Sequence, residues 1–287
     1  MLYDRVIVVG TGSIACKCTK ILCELTKKEN IFVVEYCEND ISILCYWCKE
    51  NEIEYYVGNK ASNIEQYLKN IIGEYDALII SVNNLHIFSK DIVNSENVRI
   101  ANFHYSLLPR YRGCNIPTWV VYNGECNTGV TWHFVGNKID CGKIIAQKKI
   151  EIHESTTAQN IIKEGMKVGI ELFASSIEQI LSKNVDLEEE NQVLEKIYKK
   201  DELPNNGYLD IETNIVQIAR TLRAYDYGRA EIIPQLKVVW NNCTYQVCKY
   251  MITSHEHEVT RNIHKEEMCL VIVEAKTKIV IKLKESK

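Results

Sequence analysis

The chain has 287 residues, 46% of them hydrophobic, enough to fill one large domain or a catalytic domain with a smaller appendage. Its 34 basic and 38 acidic side chains give a formal charge of -4, which removes any global electrostatic reason to hold bulk nucleic acid. No apolar run reaches the roughly 18 to 20 residues of a membrane span, and "MLYDR" passes directly into a strand pattern without a signal-peptide core, so a cytoplasmic protein is expected.

The first element is "VIVVGTGSIACK" (6–17), a β-branched run, a turn at Gly10 and Gly12, then helix-like spacing. That order matches the first turn of a dinucleotide fold, and Glu35, at the end of the next run "IFVVEY" (31–36), stands where an acidic residue would meet a ribose. Taken alone the match is weak, and an NAD-dependent oxidoreductase stays open as a reading of another class. "CYWC" (45–48) lies in a helical stretch, where Cys45 and Cys48 fall one turn apart on a core face. The twelve cysteines are scattered through a chain with its own core and are expected as reduced, buried thiols.

Further strands are expected at "ALIISV" (77–82), "VRIANFH" (98–104), "TGVTWHFV" (128–135) and "GKIIAQKKIEI" (142–152), the last two as a pair. Amphipathic segments separate the earlier ones, which predicts an α/β fold: a Rossmann-like, mainly parallel sheet with helices on both faces. A long helix is expected over 156–181, capped by Ser155 or Thr156. The catalytic domain is placed at 1–185, a linker at 186–204 around "DLEEEN" and "KKDELPNNG", and a small, mainly β, OB-like domain at 205–287. In that last domain "ETNIVQIARTLRAY" reads as a helix, and "KVVW", "YQVCKYMI", "CLVIVE" and "KIVIKLK" as strands. "HEH" (255–257) lacks the spacing that puts two imidazoles on one helical face and reads as a solvated loop; no metal-ligand cluster is evident.

The most informative stretch is "ANFHYSLLPRYRG" (101–113). On an extended chain Asn102 and His104, two apart, share one face, and the loop holding Pro109 and Gly113 begins at the carboxyl edge of a parallel sheet, a place suited to ligands. Asp140 and Gly142 follow in "GNKIDCGK". Here the chain resembles the folate-dependent formyltransferases, whose hallmark is Asn-x-His-x-Ser-Leu-Leu-Pro, then Arg-Gly, then a downstream Asp-x-Gly. The likeness is strong over about residues 70 to 180 and architectural elsewhere.

What the resemblance implies is an N-formyltransferase that moves a formyl group from 10-formyltetrahydrofolate, a cosubstrate, to a primary amine without a metal. Asn102, His104 and Asp140 would be the catalytic trio. Asn102 would donate to the developing oxyanion, His104 would donate or carry a proton, and Asp140 would hold the histidine or a water and help take the amine proton. Leu85, Ile87, Ser106, Leu107, Leu108, Pro109, Ile139, Cys141 and Gly142 would line the donor slot. Arg112, Asn115 and Trp119 would meet the acceptor, while His133 is read as packing or orientation of the site. On this reading Gly10 and Gly12 serve the turn and its packing, with no nicotinamide.

The C-terminal domain, where Arg223 and Tyr227 draw notice, would assist acceptor binding or stability and contribute no chemistry. "RGCNIPTWVVYNGE" and "LRAYDYGRAEIIPQLKV" look most like peptide-synthetase formylation domains, with some similarity to amino-sugar formyltransferases. The acceptor is therefore expected to be a carrier-tethered aminoacyl group or a nucleotide-linked amino sugar. Methionyl-tRNA formyltransferase is the alternative, disfavoured by the missing Ala-Ala-Pro-Ile after Arg-Gly and by the acidic pI, though tRNA is not excluded. A noncatalytic folate- or carrier-binding module is a third reading, hard to reconcile with an intact trio. The sequence does not set the oligomeric state.

Overall fold

Consecutive residues of the first strand feed two different cores. Val6 and Val8 join an apolar cluster with Val33, Leu78, Ile80 and Phe103, while Ile7 and Val9 join another with Phe32, Val34, Ile79 and Ile100. A strand buried on both sides needs a layer on each. The computed structural model, which describes residues 3–37, 42–183 and 196–285, supplies both layers.

The main sheet contains β1 (Arg5–Gly10), β2 (Ile31–Tyr36), β3 (Glu54–Gly58), β4 (Ala77–Val82), β5 (Val98–His104), β7 (Asn127–Phe134) and β8 (Ile144–Glu151), in the order β3-β2-β1-β4-β5-β7-β8. Two-residue strands β6 (Arg112–Gly113) and β9 (Ile197–Tyr198) lie outside it. Ladders from β3 through β5 are parallel, and β7 runs antiparallel to β5. Within this sheet the edge strand β3 is the one that the sequence reading does not predict. "EYYVG" keeps only Gly58 buried, so it carries little of the apolar signal that marks an inner strand.

Helix α1 (Gly12–Leu25) buries Ile14, Cys18 and Leu22, four apart, in the first cluster. Helix α2 (Ile43–Glu50) adds Leu44 and Cys48 to the same cluster, and α3 (Ala61–Ile72) brings Ile64, Leu68 and Ile71 to the second. Cys45 and Cys48 are both buried, and burial pushes the Cys48 thiol up to about 12, the behaviour of an inert core thiol. After α4 (Lys90–Val93) and α5 (Ile116–Tyr122), the long helix α6 spans Ala158–Leu181. Its cap is neither Ser155 nor Thr156. Thr157 Oγ1 accepts from Asn160 N at 3.2 Å, and Thr157 N donates to Asn160 Oδ1 at 2.9 Å, because Thr156 Oγ1 already accepts from His153 N at 2.9 Å. Among the described residues no helix is long and apolar enough to cross a membrane.

The glycine turn after β1 is explained by packing. A Cβ on Gly10 would lie 2.0 Å from the Val82 carbonyl oxygen, and Gly12 has φ +75° with open space around it. Glu35 is 2% exposed; its Oε1 accepts from Thr11 at 2.5 Å and its Oε2 from Ser42 at 2.5 Å. Both carboxylate oxygens are thus spent on tying the turn and α2 to the end of β2.

The C-terminal strands β10 (Tyr208–Leu209), β11 (Lys237–Trp240), β12 (Cys243–Glu266) and β13 (Cys269–Glu285) form an open four-stranded sheet in chain order. Helix α7 (Ile215–Ala224), capped by Asn214 accepting from Gln217 N, packs Ile218 and Leu222 against Val238, Ile272 and Ile281. "CLVIVE" and "KIVIKLK" are one strand, continuous through Ala275 at φ +52°, and the small, mainly β region expected at the C-terminus is built around the long β12–β13 hairpin. "HEH" lies within β12, where the ladder slips between Ser254 and Val259, and not in a loop.

The chain divides into two compact units. One comprises Met1–Arg112, Gly129–Ile150 and Glu164–Ile197; the other comprises Gly113–Thr128, Glu151–Lys163 and Tyr198–Lys287. Helix α5 therefore groups with α7, through Thr118 Oγ1 at 2.6 Å from Tyr227 Oη and Gln217 Nε2 donating to the Tyr122 carbonyl at 3.1 Å. Of the stretch read as a linker, residues 186–195 lie outside the described residues.

Candidate active site

Strand β5 ends in Asn102-Phe103-His104 at the carboxyl edge of the parallel strands, next to β4, whose Ser81 pairs with Asn102. Period-two alternation sends Phe103 into the first core and leaves Asn102 and His104 on the other face. On the other side of β5, β7 sets His133 directly opposite Asn102 and Thr131 opposite His104. The turn after β7 then brings in Asp140, at φ +47°.

These four side chains form one cluster. His104 Nδ1 lies 3.6 Å from Asp140 Oδ2, His133 Nε2 lies 3.8 Å from Asp140 Oδ1, and Asn102 Nδ2 lies 3.1 Å from His133 Nε2. The His104 and Asp140 side chains are only 8% and 13% exposed. A carbonyl can only accept, so the contact of His104 Nε2 with the Tyr111 oxygen at 2.8 Å requires a hydrogen on Nε2. The neutral ring then presents a bare Nδ1 toward Asp140. Burial pushes His133 from 6.5 to about 4, against the opposing pull of Asp140.

The loop after β5 is bolted down by polar contacts. Ser106 Oγ donates to the Arg110 carbonyl at 2.7 Å, Thr131 Oγ1 donates to the Ser106 carbonyl at 2.6 Å, and Gln147 Nε2 donates to the Leu108 carbonyl at 2.8 Å. Arg112 is 2% exposed, and its Nε and Nη2 both donate to the Ile139 carbonyl, at 2.9 and 2.6 Å. That fork holds the residue just before Asp140. Gly142 completes the turn because a Cβ there would lie 1.6 Å from the Phe134 carbonyl oxygen.

Leu85 and Ile87 follow β4 at the same sheet edge and are 66% and 83% exposed, and Ile139 is 56% exposed. Between the first two, His86 turns inward, its Nε2 3.2 Å from Glu65 Oε2, while Asn84 accepts from His86 N and donates to the His86 carbonyl. Leu107, Pro109, Cys141 and Gly142 are partly exposed beside buried Ser106 and Leu108. Asn115 and Trp119 make their contacts within the second unit: Asn115 Nδ2 donates to the Lys200 carbonyl at 2.9 Å, and Trp119 packs 4.8 Å from Tyr198. The structure thus brings Asn102, His104 and Asp140 together and adds His133, Thr131, Gln147 and the Tyr111 carbonyl, of which the sequence reading had noted His133 alone. The alternation in "VTWHF" puts Thr131 and His133 on one face and was the available signal. Among the described residues no group of three His, Cys, Asp or Glu side chains could hold a metal ion.

Residues 8–177 match the formyl transferase family. A methionyl-tRNA formyltransferase of Flavobacterium psychrophilum is 34% identical over 124 residues, 42% of this chain and 39% of that protein. A GDP-perosamine N-formyltransferase of Brucella melitensis biotype 1 is 34% identical over 125 residues, 43% of this chain and 46% of that protein. The match thus spans less than half the length of either relative. Among solved structures, the N-formyltransferase from Helicobacter canadensis in complex with folinic acid and dTDP-3-aminofucose superposes with a TM-score of 0.75 at 21% identity, over 98% of this chain and 99% of that one.

Proposed function

The chain belongs to the formyl transferase family, and from that premise we propose that it transfers a formyl group from 10-formyltetrahydrofolate to the primary amine of a nucleotide-linked amino sugar. The observation that carries the reading is the convergence of Asn102, His104 and Asp140 at the carboxyl edge of the sheet, with His104 Nδ1 3.6 Å from Asp140 Oδ2. The donor fits this edge. Large apolar side chains left in solvent at Leu85, Ile87 and Ile139 are what a flat heterocycle would cover. Leu107, Pro109, Cys141 and Gly142 would continue that slot, with buried Ser106 and Leu108 shaping it from behind.

When bound, the donor supplies an electrophilic formyl carbon and a leaving nitrogen. Asn102 offers an amide N–H to the oxygen on which negative charge grows as the acceptor amine attacks. His104, its Nε2 hydrogen committed to Tyr111, offers the bare Nδ1 to the proton that the amine must lose, and the Asp140 carboxylate beside it stabilises the imidazolium so formed. The same proton is then available to the departing nitrogen. Arg112 serves this chemistry by fixing the Asp140 turn.

The amino-sugar acceptor is supported by the Brucella relative and by the fold likeness to the Helicobacter enzyme over nearly the whole of both chains. A carrier-tethered aminoacyl group offers the same reacting amine. Methionyl-tRNA is kept as the second reading because of the Flavobacterium relative, although a net charge of -4 gives an RNA backbone little to hold. The test is transfer of labelled formyl from 10-formyltetrahydrofolate to dTDP- and GDP-linked amino sugars, an aminoacyl carrier protein and initiator methionyl-tRNA. Labelling of a nucleotide-linked amino sugar is expected. Labelling of the tRNA alone would overturn the acceptor, and failure to bind any reduced folate would overturn the donor as well.

A further inference from the structure

We infer that His133 is a positioning residue. Locked with its hydrogen on Nδ1, it accepts one N–H of the Asn102 amide at Nε2, and so turns the other N–H toward the formyl oxygen. The catalytic part of this inference rests on the formyl transfer proposed above, whereas the state of the ring does not.

The argument begins at Nδ1, which lies 3.0 Å from the Phe134 carbonyl oxygen. That oxygen has only lone pairs, so Nδ1 must carry the hydrogen. The ring is 1% exposed, and burial holds its pKa near 4, so at neutral pH it carries no second hydrogen. Nε2 is then a lone pair, and it faces the Asn102 amide at 3.1 Å. Only the NH2 end of the amide can meet a lone pair; the flipped amide would set Oδ1 against it and would need an imidazolium. Asn102 therefore has a determined orientation, with one N–H held by His133 and the second left without a protein partner among the described residues.

This arrangement separates the roles of the two histidines. A bare Nε2 offers no hydrogen to Asp140 Oδ1, 3.8 Å away, so the carboxylate is left to serve the His104 side. Strand pairing makes the device rigid, since Asn102 and His133 are opposed residues on neighbouring antiparallel strands.

Three measurements test it, on the full chain. In 15N-detected NMR the His133 ring should show a protonated Nδ1 and a bare Nε2, should stay neutral from pH 8 to pH 5, and should shift at Nε2 in Asn102→Ala. His133→Leu, which has no acceptor, should lower kcat by about 10 to 10²-fold with donor affinity nearly unchanged. His133→Gln, whose side-chain oxygen can accept the same N–H, should recover most of that loss and separates positioning from simple packing. The double variant Asn102→Ala/His133→Leu should be no slower than Asn102→Ala alone. A hydrogen on Nε2, a midpoint near 6.5, normal kcat in His133→Leu, or additive losses in the double variant would each overturn the inference. If the wild-type chain formylates no amine, the proposed function and the catalytic part of the inference both fall, while the NMR still decides the ring's state.

Discussion

Asp140 stands between two imidazoles, and the structure gives them different states. Its carboxylate lies beside the bare Nδ1 of His104, which it would assist in the proposed reaction, and faces a lone pair on His133. Replacing Asp140 with Asn keeps size and hydrogen bonding but removes the charge that stabilises a protonated His104. We expect kcat to fall by about 10² to 10⁴ with reduced-folate affinity nearly unchanged. Near-normal turnover across the pH range in which the acceptor amine is largely protonated would remove the proton-transfer role. His133 makes a separate prediction about stability. Its folded pKa, near 4, lies below its ordinary 6.5, so between those values the unfolded chain binds a proton that the folded ring refuses. Its contribution is therefore complete above pH 6.5 and declines on acidification toward pH 4, by up to about 3 kcal/mol. Urea unfolding at pH 7 and pH 4.5 should show a smaller acid loss in His133→Gln than in the wild type; equal losses would refute the assignment.

At the scale of elements, the turn from β7 to β8 is the part that delivers Asp140, and it is held from both ends. The Arg112 fork grips the carbonyl of Ile139, and Gly142 lets the backbone press against the Phe134 carbonyl. In Gly142→Ala the added Cβ would start 1.6 Å from that oxygen, so the turn must shift. We expect a stability loss of about 1–3 kcal/mol. A displacement of Asp140 on the order of 1 Å should also lower kcat by about 10²-fold. Thermal unfolding and single-turnover kinetics check the two parts independently, and unchanged turnover would mean that the turn does not position the acid. The first glycine turn answers to the same kind of packing, since Gly10 presses on the Val82 carbonyl and Glu35 is taken by Thr11 and Ser42.

At the scale of the whole molecule, the second unit draws its residues from three separate stretches of chain. Helix α5 reaches α7 through the Thr118–Tyr227 and Gln217–Tyr122 contacts, and Gln159 N donates to the Asp226 carbonyl at 3.0 Å. A chain cut after residue 204 would strip α5 and the start of α6 of these partners. We expect such a truncation to lose cooperative unfolding and to expose apolar surface to a hydrophobic dye. Retained cooperative unfolding, with only acceptor affinity weakened, would contradict this and favour a detachable acceptor domain.

The sequence by itself determined the inner strands of the sheet, its carboxyl edge and the residue types of the proposed trio. Inner strands are apolar runs of the right length, "NFHYSLLP" is specific in residue type and order, and a two-residue spacing puts Asn102 and His104 on one face wherever the strand lies. It also placed Cys45 and Cys48 in the core, because one helical turn separates them. Other features were decided only when the chain had folded. The partnership of His133 with Asn102 depends on antiparallel pairing between β5 and β7, and the grip of Arg112 on Ile139 joins residues 27 apart in sequence. Alternation along a strand says which face a side chain takes but not which strand lies beside it, and a one-residue slip would have turned His133 away from Asn102. Asp140 needed a left-handed backbone and a glycine two residues on, a geometry set by the Phe134 carbonyl that the turn packs against. The residue types of the site are local, while their orientation and protonation states come from neighbours brought together by the tertiary fold.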